Sequence, residues 1–327
     1  LHQMVAKGIN KVVIEASSHG LEQSRLDGIK FSVGAFTNLS RDHFDYHGDM
    51  ESYFKSKAIL FDRLISQNGG AVISLDDKYG ARISKLAKLN SSNLVTVGKN
   101  KNALMRLVSQ KFHSIGQEIK LAWEGREYII QLPLFGDFQA NNVLLALGIL
   151  CNCGENLNKV INLLPRLKAV PGRMEEVAIR KNGARIFVDY AHTPDALDAA
   201  LRSIRAHFMG QIHLVFGAGG NRDRGKREMM GRVASELTDN VIITDDNPRD
   251  ENPATIRSEI KKFCPKATEI ADRAKAILVG VDQLKAGDAL IIAGKGHEKT
   301  QIFADSILPF DDVEQASCSV ALLDGQV

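Results

Sequence analysis

Two carboxylates, an amide, a proline and a guanidinium follow one another in Thr244-Asp245-Asp246-Asn247-Pro248-Arg249. An arginine on a turn stiffened by proline suits bidentate capture of a carboxylate, and flanking carboxylates suit an ammonium group. The ligand such a set would take is a zwitterion, such as an amino acid. A salt-bridged surface arginine on an αβ loop is the other reading. Gly217-Ala218-Gly219-Gly220-Asn221-Arg222 lets backbone N–H groups approach an anion, with Arg222, Arg224 and Lys226 beside them. It fails as a dinucleotide fingerprint because Arg222 stands at the third small-residue position, and a tight turn with solvated basic residues also explains it. Glu15, Asp42 and His43 could ligate a hard cation such as Mg²⁺, which takes few protein ligands, although each alone is more often a satisfied polar group. Lys57 falls with Phe54, Phe61 and Leu64 in an apolar stripe, whereas Lys55 does not. Burial disfavours the charged form of a lysine and leaves its amine reactive, unless the side chain snorkels to the surface. Gly294-Lys295-Gly296-His297-Glu298 adds a flexible loop carrying an acid.

Each of these sets needs a strand end or a helix face to hold it. Lys11–Ala16 reads as a strand ending in Ser17-Ser18-His19-Gly20, and Val33–Asn38 as a second strand running into Arg41-Asp42-His43. A helix is expected from about Met50 to Ser66, then strands at Ala71–Ser74 and Asn93–Val97. A hairpin across Gly125 and a helix from about Gln139 to Cys151 follow. Beyond Pro171-Gly172-Arg173, strands at Arg185–Asp189, Gln211–Phe216, Asn240–Thr244, Thr268–Ala271 and Asp288–Ala293 alternate with segments of helical length. Such alternation predicts an α/β, doubly wound parallel sheet whose ligands bind at the carboxyl ends of the strands.

A length of 327 residues predicts two domains. Hydrophobic content of 44% and charged content of 25% are those of an ordinary globular protein. A net charge of +3 and an aromatic content of 6% give no support to a nucleic-acid or membrane partner. Cys151, Cys153, Cys264 and Cys318 form no C-x-x-C or zinc spacing, which predicts reduced thiols and a cytoplasmic location. No apolar run is long enough to span a bilayer, and no signal peptide is expected from the opening residues.

Taken together, six segments resemble the Mur ligase family, the ATP-dependent amino-acid ligases of peptidoglycan precursor synthesis. They are Glu15-Ala-Ser-Ser-His-Gly20, Thr37-Asn-Leu-Ser-Arg-Asp-His-Phe-Asp-Tyr-His-Gly48, Pro171-Gly-Arg-Met-Glu175, Asp189-Tyr-Ala-His-Thr-Pro194, Asp246-Asn-Pro-Arg249 and Gly294-Lys-Gly-His-Glu298. The resemblance covers nearly the whole chain in family order. It implies a partial central ATP-binding domain over 1–168 and a Rossmann-like amino-acid-binding domain over 169–327. The implied reaction joins meso-diaminopimelate to the D-glutamyl γ-carboxylate of UDP-N-acetylmuramoyl-L-alanyl-D-glutamate through an acyl phosphate.

The resemblance also carries roles. Glu15, His43 and Lys57 match catalytic and Mg²⁺-binding positions, with Lys57 bearing a CO₂-derived carbamate (N6-carboxylysine). Ser17, Gln23 and Arg25 match contacts to the nucleotide-linked peptide, and Asn142, Arg173, Asp189 and His192 match the ATP site. Arg222, Asp246, Asn247, Pro248, Arg249, Gly294 and Glu298 match the amino-acid pocket, where Arg249 would clamp the distal carboxylate. A monomer is expected. Gln139 stands where the family usually has asparagine, and Asn221 where it often has aspartate. The chain opens as if within a helix. The family's Gly-Lys-Thr/Ser phosphate loop and nucleotide-gripping N-terminal domain would precede Leu1, which implies weak ATP binding by these residues alone. Other readings are a folate polyglutamylating ligase, a binding module without catalysis and a nicotinamide oxidoreductase using the 217–222 loop.

Overall fold

The computed structural model describes residues 1–39 and 44–325. They fall into two compact units: Leu1–Ser109, Ile119–Ile130 and Ala140–Leu163 in one, and Gln110–Glu118, Gln131–Gln139 and Leu164–Val327 in the other.

The first six strands form one sheet in sequential order: β1 (Phe31–Phe36), β2 (Ile65–Ser74), β3 (Asn93–Gly98), β4 (Met105–His113), β5 (Gly116–Trp123) and β6 (Arg126–Leu132). β1, β2 and β3 are parallel, and their buried faces carry Phe36, Ala71, Ile73 and Val97. The hairpin between β5 and β6 turns on Glu124 and Gly125, both at positive φ (50° and 74°), a geometry that matches the natural twist of paired strands. The helix Phe138–Asn152 crosses closely over β2: a Cβ on Gly148 would lie 2.7 Å from Val72.

Two expectations fail in this unit. Residues 9–17 are not a strand. Val12, Val13 and Ile14 stay exposed, and no described strand pairs with them, so a β-branched run lacks the ladder partner that would fix it. The helix expected to Ser66 ends at Ile59, followed by a π-helical turn at Leu60–Leu64, and Ile65 already belongs to β2. β4 was not foreseen.

The second unit is the doubly wound one. β7 (Glu175–Ile179), β8 (Arg185–Asp189), β9 (Ile212–Phe216), β10 (Asn240–Ile243), β11 (Thr268–Glu269) and β12 (Ala289–Ala293) lie in the order β11-β10-β9-β12-β8-β7. All pairings are parallel except that of the unforeseen edge strand β7. Alternate residues feed two cores. Phe187, Leu214, Phe216 and Ile291 pack into one, and Ile186, Val188, Val215, Leu290 and Ile292 into the other. A sheet covered on both faces buries its central strands throughout, as in β9 and β12; β12 is wholly apolar, and β9 is apolar except for His213. The helices Pro194–Arg205 and Pro253–Lys261 begin with proline after a capping residue, Thr193 or Asn252, whose side chain accepts a backbone N–H. A small antiparallel hairpin, β13 (Thr300–Ile302) and β14 (Ile307–Pro309), follows β12.

Candidate functional site

The neighbours β10, β9 and β12 deliver three loops to one end of the second sheet, carrying Asp246–Arg249, Gly217–Arg222 and Gly294–Glu298. The first two are stitched together. Gly220 N–H donates to the Asn247 carbonyl at 2.9 Å, and Arg249 Nη1 donates to the Gly220 carbonyl at 2.9 Å. A Cβ on Gly220 would lie 1.9 Å from the Pro248 oxygen, so only glycine permits this approach. Arg249 has φ of 51°, and its N–H is held by the Ile302 carbonyl at 3.0 Å.

Asn247 is the hub of the β10–β12 side. Its Oδ1 accepts from Lys295 Nζ and from Ile302 N–H, each at 3.0 Å, and its Nδ2 donates to Glu298 Oε2 at 2.8 Å. Lys295 is 0% exposed and also donates to Glu298 Oε2 at 3.2 Å and to the Thr300 carbonyl at 2.6 Å. Asp246 Oδ1 accepts its neighbour's N–H, and Oδ2 lies where a Cβ on Gly294 would come within 2.6 Å. Gly294 has φ of 116°, so glycine is required on both counts. The two adjacent acids do not act together: Asp245 is paired with Arg257, and only Asp246 faces Gly294. Burial raises the Asp245 carboxyl despite that guanidinium.

Arg222 is exposed at the rim of its loop, after Asn221 at φ of 53°. Asn221 N–H donates to Glu251 Oε1 at 2.6 Å, which also receives Arg227 at 2.8 Å, and Arg227 foremost holds the Glu251 carboxyl down at about 2. Lys226 Nζ donates to the His192 carbonyl at 3.2 Å; burial lowers its pKa, against the pull of Asp246.

At the end of β8, Asp189 receives Met174 N–H at 2.6 Å and Ala191 N–H at 2.8 Å, and burial outweighs these bonds to raise its carboxyl. The Arg173 guanidinium lies 4.4 Å from the Tyr190 ring centroid, and the His192 ring packs on the same tyrosine at 4.6 Å. Gly172 closes against the third loop: a Cβ there would lie 2.3 Å from His297 N. An acid, a stacked guanidinium and an imidazole thus border the loop that carries Glu298.

In the first unit, Lys57 is half-buried, with Nζ 5.2 Å from the Tyr53 ring centroid, and Lys55 is exposed. Ser17 caps the helix Ser18–Glu22 by accepting Gly20 N–H, Gln23 donates to the Tyr46 hydroxyl at 3.0 Å, and Arg25 is exposed. Glu15 is exposed on the irregular segment, Asn142 is exposed on its helix, and Asp42 and His43 lie outside the described residues. Among the described residues, no group of three or more His, Cys, Asp or Glu side chains could hold a metal ion.

Two buried residues here were missed. His47 receives or donates at Ser18 Oγ (2.8 Å), approaches Glu22 (3.1 Å) and stacks on Tyr53. Lys295, between two glycines at the end of a wholly apolar strand, carried the one legible signal, because a charge at such a position must be internally satisfied.

Residues 1–150 match the model of the Mur ligase middle domain, and residues 172–296 match the Mur ligase, glutamate ligase domain. The UDP-N-acetylmuramoyl-L-alanyl-D-glutamate–2,6-diaminopimelate ligase of Zymomonas mobilis is 46% identical over 316 residues, 95% of this chain and 65% of the relative. The enzyme of the same name from Mesorhizobium japonicum is 45% identical over 325 residues, 98% of this chain and 67% of the relative. The chain therefore spans about two thirds of the length of these relatives. A solved structure of a ligase of that name superposes with a TM-score of 0.69 at 36% identity, covering 99% of this chain and 66% of that one. Mycobacterium tuberculosis folylpolyglutamate synthase complexed with ADP and AMPPCP gives 0.65 at 20% identity over 90% of this chain and 64% of that one, a likeness of fold alone. With both domain models matched in order and relatives this similar along nearly its full length, the chain belongs to the Mur ligase family.

Proposed function

We propose that the chain is the catalytic and amino-acid-binding part of an ATP-dependent ligase. Its reaction joins meso-diaminopimelate to the γ-carboxylate of the D-glutamyl residue in UDP-N-acetylmuramoyl-L-alanyl-D-glutamate. The observation that carries this is the cluster of loops after β10, β9 and β12, where Asn247, Glu298 and Asp246 are locked beside Arg249, with Arg222 exposed at the rim of the neighbouring loop. Acids suit the ammonium groups of a diamino diacid, and two guanidinium groups suit its carboxylates. In this reading Arg222, Asp246, Asn247, Pro248, Arg249, Gly294 and Glu298 bind diaminopimelate. Arg173, Asp189 and His192, with Asn142, bind ATP, and Ser17, Gln23 and Arg25 bind the peptide.

The γ-carboxylate attacks the terminal phosphorus of ATP, ADP leaves, the free amine attacks the resulting acyl phosphate, and phosphate leaves as the amide forms. Glu15, His43 and Lys57 as its carbamate are the proposed Mg²⁺ ligands; the ion, when bound, would neutralise phosphate charge. His43 lies outside the described residues, and no step here depends on the ion. Residues 1–168 are, in this reading, the ATP- and peptide-binding domain, and residues 169–327, which also carry Arg173, Asp189 and His192, are the amino-acid-binding domain. In this reading the protein acts as a cytoplasmic monomer.

The test offers the protein ATP, Mg²⁺ and the nucleotide dipeptide with meso-diaminopimelate, L-lysine or L-glutamate plus folate as competing acceptor systems. ADP release with diaminopimelate incorporation is expected. Equal use of lysine, or glutamylation of folate, would defeat the assignment of diaminopimelate, and absence of turnover by these residues would defeat the catalytic part of the reading in favour of a binding module.

A further inference from the structure

Lys295 has no assigned role, and its surroundings give it one. The side chain is 0% exposed, and a buried ammonium survives only where every N–H is used. Its three acceptors are Asn247 Oδ1 at 3.0 Å, Glu298 Oε2 at 3.2 Å and the Thr300 carbonyl at 2.6 Å. An ammonium group can only donate, and so can the Ile302 N–H that meets the same Asn247 atom at 3.0 Å. The Asn247 atom between them must therefore be oxygen, which leaves Nδ2 to donate to Glu298 Oε2 at 2.8 Å. Glu298 Oε2 thus accepts from two protein donors, while no hydrogen bond from the described residues engages Oε1. The carboxylate is one-third exposed, so it has one oxygen anchored in the protein and one presented outward.

We infer that Lys295 is the positioning residue of the amino-acid pocket: it sets the orientation of the Asn247 amide and reserves Glu298 Oε1 for a ligand ammonium. Without Lys295, Asn247 loses the charged donor that fixes its flip. Glu298 Oε2 loses one of its two donors, and its carboxylate is free to rotate. Lysine is suited to this position because its three N–H vectors diverge from one nitrogen, whereas a guanidinium would need a planar set of acceptors. The inference rests on the proposed amino-acid pocket, and the experiment separates the two.

The chain is ¹⁵N-labelled, and exchange of the Asn247 side-chain amide protons is followed without ligand in wild type, Lys295→Met and Lys295→Gln. Diaminopimelate is then titrated into each. Slow exchange is expected in wild type and at least tenfold faster exchange in Lys295→Met, with backbone signals outside 245–303 unmoved. Diaminopimelate affinity is expected to fall about tenfold, and Lys295→Gln, which keeps a donor but no charge, should fall between. If Lys295→Met does not fold, the Lys295→Gln comparison carries the same two readouts. Unchanged amide exchange and unchanged affinity in the variants overturn the role of Lys295 while leaving the pocket standing. Failure of wild type to bind diaminopimelate, with its amide protected, overturns the pocket reading and the ligand half of the inference with it.

Discussion

Arg273 and Asp312 form an ion pair in which both side chains are 0% exposed, and they hold two of the loops that build the pocket. Arg273 Nε and Nη2 meet the two Asp312 carboxylate oxygens at 2.7 Å each, Nη2 also reaches the Ala293 carbonyl at 3.1 Å, and Nη1 approaches the Asp245 carbonyl at 3.4 Å. Ala293 ends β12, and Asp245 opens the loop after β10. Replacing Arg273 with alanine leaves a buried carboxylate without its partner and takes the guanidinium from the Ala293 carbonyl, while the Asp245 carbonyl keeps Gln301 Nε2 at 3.4 Å. Breaking one side of such a pair costs about 3–5 kcal/mol. For a unit of this size, each kcal/mol lowers the melting temperature by about 2–4 °C, so a fall of roughly 6–20 °C is expected. Scanning calorimetry measures it, and hydrogen exchange over 242–246 and 289–293 locates it. Arg273→Met combined with Asp312→Leu removes both charges together and should recover to within about 1 kcal/mol of wild type, or exceed it. A single alanine variant within about 1 kcal/mol of wild type would refute the reasoning.

Replacing Arg249 with alanine should raise KM for diaminopimelate by about 10- to 100-fold, the loss of one charge-assisted contact, while KM for ATP stays within twofold; steady-state kinetics with each substrate varied would decide it. Gly294→Ala places a Cβ 2.6 Å from Asp246 Oδ2 at a φ of 116°, so diaminopimelate use should fall at least tenfold with a stability loss of about 1–3 kcal/mol, read by kinetics and urea unfolding. Burial lowers the pKa of both His207 and His213. His207 donates to the His113 carbonyl and accepts Gly136 N–H, near Asp137, and neither ring nitrogen of His213 has a hydrogen-bond partner although Asp288 lies 3.4 Å away. Both fold as neutral rings, so their contribution is complete above the ordinary histidine value of about 6.5 and is lost as pH falls from there toward the lowered values. Urea midpoints should decline below pH 6.5, and His213→Leu should flatten that decline at little cost at pH 7.5; a midpoint independent of pH would exclude this account.

Much of the second unit was legible because its strands are short, buried on both faces and punctuated by glycine and proline. The runs ending at Asp189, Phe216 and Ala293 could be nothing but interior strands. What escaped was structure that depends on a neighbour. β7 is an edge strand whose residues are only half-buried, so its composition announces little. Lys11–Ala16 has the composition of a strand and lacks a pairing partner among the described residues. The helix expected to reach Ser66 gives way at Ile59 because Ile65 is already committed to pairing with Phe31. At the site, Arg249 and Glu298 could be named from their motifs. The separate employment of Asp245 and the acceptors that satisfy Lys295 could not, since they depend on Arg257, Asn247 and Thr300 arriving from elsewhere in the chain.

The sequence by itself determined which residue types stand at the carboxyl ends of the strands, because local patterning places strand ends and turns. It also determined that glycine at 220 and 294 would let loops pass closely. Only the tertiary structure decided which polar atom meets which. Hydrogen-bond direction in a buried cluster is settled by the simultaneous demands of groups distant in sequence. At Asn247 those demands come from a buried ammonium, a backbone N–H of β13 and a carboxylate three residues beyond the lysine.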